Sequence, residues 1–175
     1  LSIRKEPACV PDSVIQQQQG WGIATLMARK TSTAREIGQR LQMDLPQPRR
    51  VSEAGPVCVI STGPGTWLAL NKVPDDNWAP NLADLLEGVA SISEQSSGYA
   101  LLALSGADTR RLLQAAACID LREDAFPPGC AAPTVISYIG VTLWRPLREE
   151  RFLLAVYRSY LGSLETCLQH ISATL

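Results

Sequence analysis

The residue types that carry chemistry are few in this chain and widely scattered. Its five cysteines, Cys9, Cys58, Cys118, Cys130 and Cys167, form no C-x-x-C pair, and the only histidine is His170. A structural zinc site takes four Cys or His ligands, normally as two close pairs, so this spacing predicts no metal site. Odd, dispersed thiols fit a reducing compartment, and the expected location is cytoplasmic. Any Ser-His, Cys-His or flavin-histidine arrangement would have to use His170. At about 100° per helical residue, His170 falls opposite Leu161, on the solvent side, whereas a general base has to be held against a pocket wall.

Other candidates fare no better. Cys130 closes the stretch Phe126-Pro127-Pro128-Gly129-Cys130, and its nearest cation upstream, Arg122, is eight residues away. Nothing local would lower its pKa, so it reads as a small apolar residue near a strand start, and Cys118, after three alanines, reads as core. Glu123 and Asp124 are adjacent and point in different directions, as in a solvated turn rather than an acid–base pair. Thr62-Gly63-Pro64-Gly65-Thr66-Trp67 lacks the third glycine of a dinucleotide fingerprint and leads into strand-like residues, so it reads as a hairpin turn. Arg110 and Arg111 are placed on the outward face of a helix. The expectation is therefore that this chain contributes no catalytic, cofactor-binding or metal-binding residue. Tryptophan is more informative, because an indole suits cores and partner surfaces alike. Trp67 and Trp144 fall in strands and are expected in the core; Trp78, in the polar run PDDNWAPN, is an interface candidate.

The elements that must position these residues follow from periodicity. Gly22–Arg29 reads as a strand, and Thr31–Met43 as an amphipathic helix with Thr33 and Glu36 spaced as a capping box. Asp44–Pro56, with its prolines and scattered charges, reads as a loop. A hairpin follows, Pro56–Ser61 and Thr66–Asn71, then a short helix Asn81–Gly88 and a strand Val89–Ser93. From Gly98 the order restarts: strand Tyr99–Leu104; helix Ser105–Ala117, with Ser105 and Asp108 spaced as a capping pair; three strand-like segments at 134–139, 141–145 and 152–157, the first two separated by Gly140; and a closing helix Ser159–Ala173.

This plan predicts one domain over 1–175 with two pseudo-repeated halves, about 21–95 and 96–175, after an N-terminal extension, 1–20. The fold class is α+β, with duplicated strand-helix-hairpin-helix units and antiparallel sheets, because the connections are too short for parallel crossovers. The totals exclude other classes. With 46% hydrophobic residues, 16 Lys+Arg and 17 Asp+Glu, the chain has core enough for a domain and no basic field for nucleic acid. No apolar run approaches the roughly 18 residues of a membrane span.

The run from Ser96 to Arg145, and above all the pattern D-L-x-x-x-x-F-P-P-G formed by Asp120, Leu121, Phe126, Pro127, Pro128 and Gly129, resembles the gamma subunit of heterotetrameric sarcosine oxidase. The resemblance covers roughly Gly55–Leu175. It implies a fold similar to the folate-binding aminomethyltransferase and YgfZ-like proteins, and a subunit without a cofactor of its own. FAD, FMN, NAD and tetrahydrofolate would then belong to the alpha, beta and delta partners. The complex would oxidatively demethylate sarcosine or a related N-methyl amino acid and pass the one-carbon unit to tetrahydrofolate. The YgfZ-like K-G-C-Y-x-G-Q motif is reduced here to Gly129 and Cys130, against the alternative of a stand-alone folate-dependent carrier or aminomethyltransferase-like protein. Proline stiffens the FPPG loop, so Phe126, Pro127 and Pro128, together with Trp78, are the expected partner contacts.

Overall fold

In Leu101–Leu104 and Leu153–Val156 successive side chains are apolar, so strands here need cover on both faces. The computed structural model describes residues 13–73 and 75–175; Cys9 and positions 1–12 of the expected extension lie outside the described residues. It contains β1 (Val14–Gln18), β2 (Gly22–Ala28), α1 (Ala34–Leu41), β3 (Val51–Ala54), β4 (Val57–Gly63), β5 (Thr66–Asn71) and α2 (Trp78–Leu85). These are followed by β6 (Ala90–Glu94), β7 (Tyr99–Ser105), α3 (Thr109–Ala116), β8 (Ala131–Ile136), β9 (Ile139–Trp144), β10 (Phe152–Tyr157) and α4 (Leu161–Ser172).

The strands form two antiparallel sheets, ordered β3-β4-β5-β2-β6 and β1-β7-β10-β9-β8. Alternation along each strand sorts side chains between layers. Cys58, Ile60, Leu68 and Leu70 of the first sheet meet Leu101, Ala103, Trp144 and Leu153 of the second in a shared inner core. On the first sheet's outer face, Leu26, Val59 and Trp67 pack under Ile37 of α1 and Leu82 of α2. On the second's outer face, Leu102, Leu104, Leu143 and Leu154 pack under Leu112 and Leu113 of α3 and Leu164 and Leu168 of α4. The result is a helix–sheet–sheet–helix sandwich, in agreement with the α+β expectation.

Several local readings hold and several are corrected. The α1 capping box forms as expected: Glu36 N donates to Thr33 Oγ1 at 3.2 Å and Thr33 N to Glu36 Oε2 at 2.7 Å. Val51–Ala54, expected as loop, pairs with β4, because Pro46 and Pro48 precede the strand and Pro56 follows it. Val14–Gln18, assigned to an extension, is an edge strand whose Ile15 packs on the outer core of the second sheet. The Ser105/Asp108 capping pair does not form: β7 keeps Ser105 opposite Val14, and Asp108 caps α3 without a side-chain bond to its backbone. The β8–β9 turn falls at Ser137 and Tyr138, with φ of 45° and 69°, while Gly140 sits inside β9 opposite Val135. Two central residues at positive φ are what a two-residue hairpin between twisted strands demands.

Candidate functional site

The segment from Cys118 to Cys130 joins α3 to β8. It starts where α3 ends, Ala117 turning to extended backbone and bridging Ile136. Asp120 then folds over its own neighbour: Oδ1 accepts from Arg122 N at 3.0 Å, and Oδ2 pairs with Arg122 Nη2 at 2.7 Å. These bonds to Arg122 hold the Asp120 carboxyl down at about 2. A tight turn follows, in which Ala125 N and Phe126 N both donate to the Arg122 carbonyl, and it drives Leu121 and Phe126 into the core.

Phe126 is therefore corrected: it is 1% exposed, its ring stacked on Phe152 with centroids 6.3 Å apart, and it cannot be a surface contact. The reason lies in the two residues after it. Pro127, Pro128 and Gly129 form a turn closed by Cys130 N donating to the Pro127 carbonyl at 3.1 Å, with Gly129 at φ 83°. A Cβ on Gly129 would lie 2.7 Å from Leu147 Cδ2. Each side of the turn is bonded to a different sheet. Gly129 N donates to the Arg145 carbonyl and Arg145 N to the Cys130 carbonyl, at 3.0 and 2.9 Å; Val51 N donates to the Gly129 carbonyl and Ala131 N to the Arg49 carbonyl, both at 3.0 Å. The FPPG stretch thus clamps the β9 end of one sheet to the β3 end of the other. Pro127 is half-buried and Pro128 exposed.

The clamp is backed by charge. Glu123 bridges two guanidinia, Arg145 Nη1 at 2.8 Å and Arg110 Nη2, and the Arg145 bond first of all keeps its carboxyl below the usual range. Arg145 Nη1 also donates to the Phe126 carbonyl at 3.2 Å, and Arg110 Nη1 donates to the Leu121 carbonyl. Glu123 is exposed in its turn, as expected, and pairs with both arginines from there; Arg110, expected on an outward face, is half-buried in this cluster. Its sequence signals, one arginine after Trp144 and one of a pair on a helix, became readable only once the fold brought them together. Beside the clamp, a cleft of about 940 Å³ runs between α1, the 42–52 segment and Pro128, with Arg35, Arg50 and Asp44 on its walls.

The remaining candidates separate clearly. Trp78 is the first residue of α2, not part of a loop; it is half-buried and its ring covers Gly22, where a Cβ would lie 2.7 Å from Trp78 Cε3. Trp67 and Trp144 are in the core as expected. Cys130 is buried and accepts from Arg50 Nη1 at 3.1 Å, a partner 80 positions upstream that local spacing could not supply. Cys118, expected in the core, is exposed, because the helix stops two residues earlier. Burial, above all, pushes the Cys58 thiol up to about 12. His170 is exposed as expected, and no group of three metal-ligating side chains occurs among the described residues. Tyr138, at the β8–β9 turn, is wholly exposed, with exposed Val135 on the strand beside it.

Residues 28–174 match the sarcosine oxidase, gamma subunit family. The chain belongs to that family. No curated protein matches it in sequence. Among solved structures, the gamma-family chain is similar to a heterotetrameric sarcosine oxidase from Corynebacterium sp. U-96, solved in complex with pyrrole 2-carboxylate. The TM-score is 0.82 at 19% identity, covering 93% of this chain and 84% of that one. It is also similar to the glycine cleavage system aminomethyltransferase T from Bartonella henselae, with a TM-score of 0.69 at 13% identity over 93% of this chain and 47% of that one. The fold is thus shared with the aminomethyltransferase, as the sequence reading expected, and this chain spans about half of that enzyme's length. Among the described residues, no helix is long and apolar enough to cross a membrane.

Proposed function

We propose that the chain is the gamma subunit of a heterotetrameric, sarcosine oxidase-type flavoenzyme complex of the cytoplasm, and that its role is assembly. The observation that carries this reading is the family match over residues 28–174. The likeness of fold to a heterotetrameric sarcosine oxidase supports it. In this reading alpha, beta and delta subunits are the partners and hold FAD, FMN, NAD and tetrahydrofolate. The whole oxidatively demethylates sarcosine or a related N-methyl amino acid and transfers the one-carbon unit to tetrahydrofolate. The clamp fits an assembly role, since it holds the two sheets in one fixed arrangement while leaving Pro128 outward. A surface built on rigid turns loses little freedom on docking. Pro127, Pro128 and Trp78 are the contacts retained from the sequence reading, with Phe126 supporting the turn from beneath.

Co-expression of the tagged chain with alpha, beta and delta subunits of a sarcosine oxidase-type complex from the same source tests this directly. A complex with one copy of each, yellow from flavin and stable through gel filtration, is the expected result. Recovery of the chain free of all three, while the other subunits assemble without it, refutes the role. Calorimetric titration of the isolated chain with tetrahydrofolate adds a separate check, and no heat of binding is expected.

A further inference from the structure

A second cavity, about 400 Å³, opens beside the start of α3 and shares Arg110, Glu123 and Arg145 with the cluster that backs the clamp. Leu104 and Phe152 give it an apolar floor; Thr109, Arg110, Arg145 and Arg151 supply donors; Glu123 and Glu150 also line it. Two of those donors are buried without a hydrogen-bond partner among the described residues. They are the hydroxyl of Thr109, a residue 3% exposed, and Nε of Arg145, a residue 8% exposed. Buried polar atoms are nearly always paired, so two orphans on one cavity wall mark a place where an acceptor comes from outside.

The acceptor's class follows from the donors it would meet. The guanidinia of Arg110 and Arg145 are fixed over the Phe152 ring, 5.3 and 5.5 Å from its centroid, and Glu123 spans both. Arg151, on the same cavity wall, is paired with Glu149. Arg110, Arg145 and Arg151 are matched by Glu123, Glu149 and Glu150, so the class of the missing partner follows from the orphans themselves: Arg145 Nε is a donor on a cationic group, which excludes a cation and calls for an acceptor oxygen. The adjoining first turn of α3 adds partial positive charge of the same sense.

We propose that this cavity binds a small oxyanion, of the phosphate or carboxylate class, whose oxygens accept from the Thr109 hydroxyl and Arg145 Nε beside the Arg151 guanidinium. The site lies wholly within this chain and stands whether or not the chain assembles with partners.

The test is thermal unfolding of the full chain in phosphate, acetate and chloride at equal ionic strength, for wild type, Thr109→Val and Arg151→Gln. At roughly twenty times its dissociation constant, a bound anion raises the melting temperature of a domain this size by about 4 °C. The expected result is such a rise in phosphate over chloride for wild type. Removing the Thr109 hydroxyl should weaken binding about tenfold, while leaving the melting temperature in chloride unchanged or higher because an unpaired buried hydroxyl is gone. Arg151→Gln, at a half-buried position, weakens binding without touching the orphaned donors. A rise in acetate as well assigns carboxylates to the site; a rise in phosphate alone assigns tetrahedral anions. No rise in either anion, or an undiminished rise in both variants, overturns the proposal.

Discussion

Replacing Phe126 by alanine distinguishes a core role from a docking role. Its ring is 1% exposed and stacks on Phe152, and its carbonyl holds Arg145 Nη1. The turn that follows is pinned from both sides, Pro127 accepting from Cys130 N and Gly129 bonded to both Arg145 and Val51. The site therefore cannot collapse around the missing ring, and the loss should fall in the upper part of the range for such truncations, about 4–5 kcal/mol. For a chain of this size that lowers the melting temperature by roughly 8–20 °C. Urea unfolding of the isolated chain followed by tryptophan fluorescence measures the change, with Trp144 reporting on the inner core beside the clamp. Phe126→Leu, which keeps most of the volume, should cost under about 1.5 kcal/mol. If Phe126→Ala unfolds within 1 kcal/mol of wild type while the subunit no longer joins its complex, the ring is a docking anchor and the burial argument fails.

Acid sensitivity should centre on the 120–123 turn. Asp120 is held at about 2, and Glu123 is also lowered, each first of all by an arginine bond. A carboxylate with a lowered folded pKa stabilises fully above its unfolded value and loses that contribution as pH falls through the folded value. The stability gap between wild type and Asp120→Asn/Glu123→Gln should accordingly be open at pH 6 and close between about pH 5 and 2, measured by urea titration; a gap independent of pH contradicts this. Two glycines should respond with opposite signs. Gly38→Ala puts a Cβ 2.8 Å from the Met43 carbonyl and should destabilise by about 1–3 kcal/mol, whereas Gly162→Ala, with open space around it on α4, should stabilise by about 0.5 kcal/mol. Thr33→Ala removes the α1 capping box and should cost about 1 kcal/mol by the same assay.

What the sequence made legible was whatever depends on neighbours within a few residues. The α1 capping box, the Gly63–Gly65 hairpin and the inward face of α4 all follow from local spacing, and all appear in the structure. The readings that needed correction depend on distant partners. Val51–Ala54 has a weak strand pattern and becomes a strand because β4 offers a free edge. Phe126 looked outward because two prolines and a glycine promise an exposed loop, and nothing local reveals that Arg145 and Val51 grip that loop from either side. The Glu123 cluster was invisible for the same reason: its two arginines lie 13 residues before and 22 residues after it. Composition cannot show a contact of that kind, and the FPPG pattern that carried the family resemblance did not give the orientation of its segment.

The place of β1 bears on how the chain comes to be folded at all. This strand is synthesised well before its partner, since its pairing residues, Ser105 to Leu101 opposite Val14 to Gln18, lie far downstream. At ordinary translation rates the gap is roughly 4–17 s, during which the sheet built from β2 to β6 has every strand it requires and β1 has no mate. Three of its five residues are glutamine. An amide-rich strand with only Val14 and Ile15 to hide can stay dissolved through that interval, and its late arrival beside β7 would then be the step that completes the second sheet.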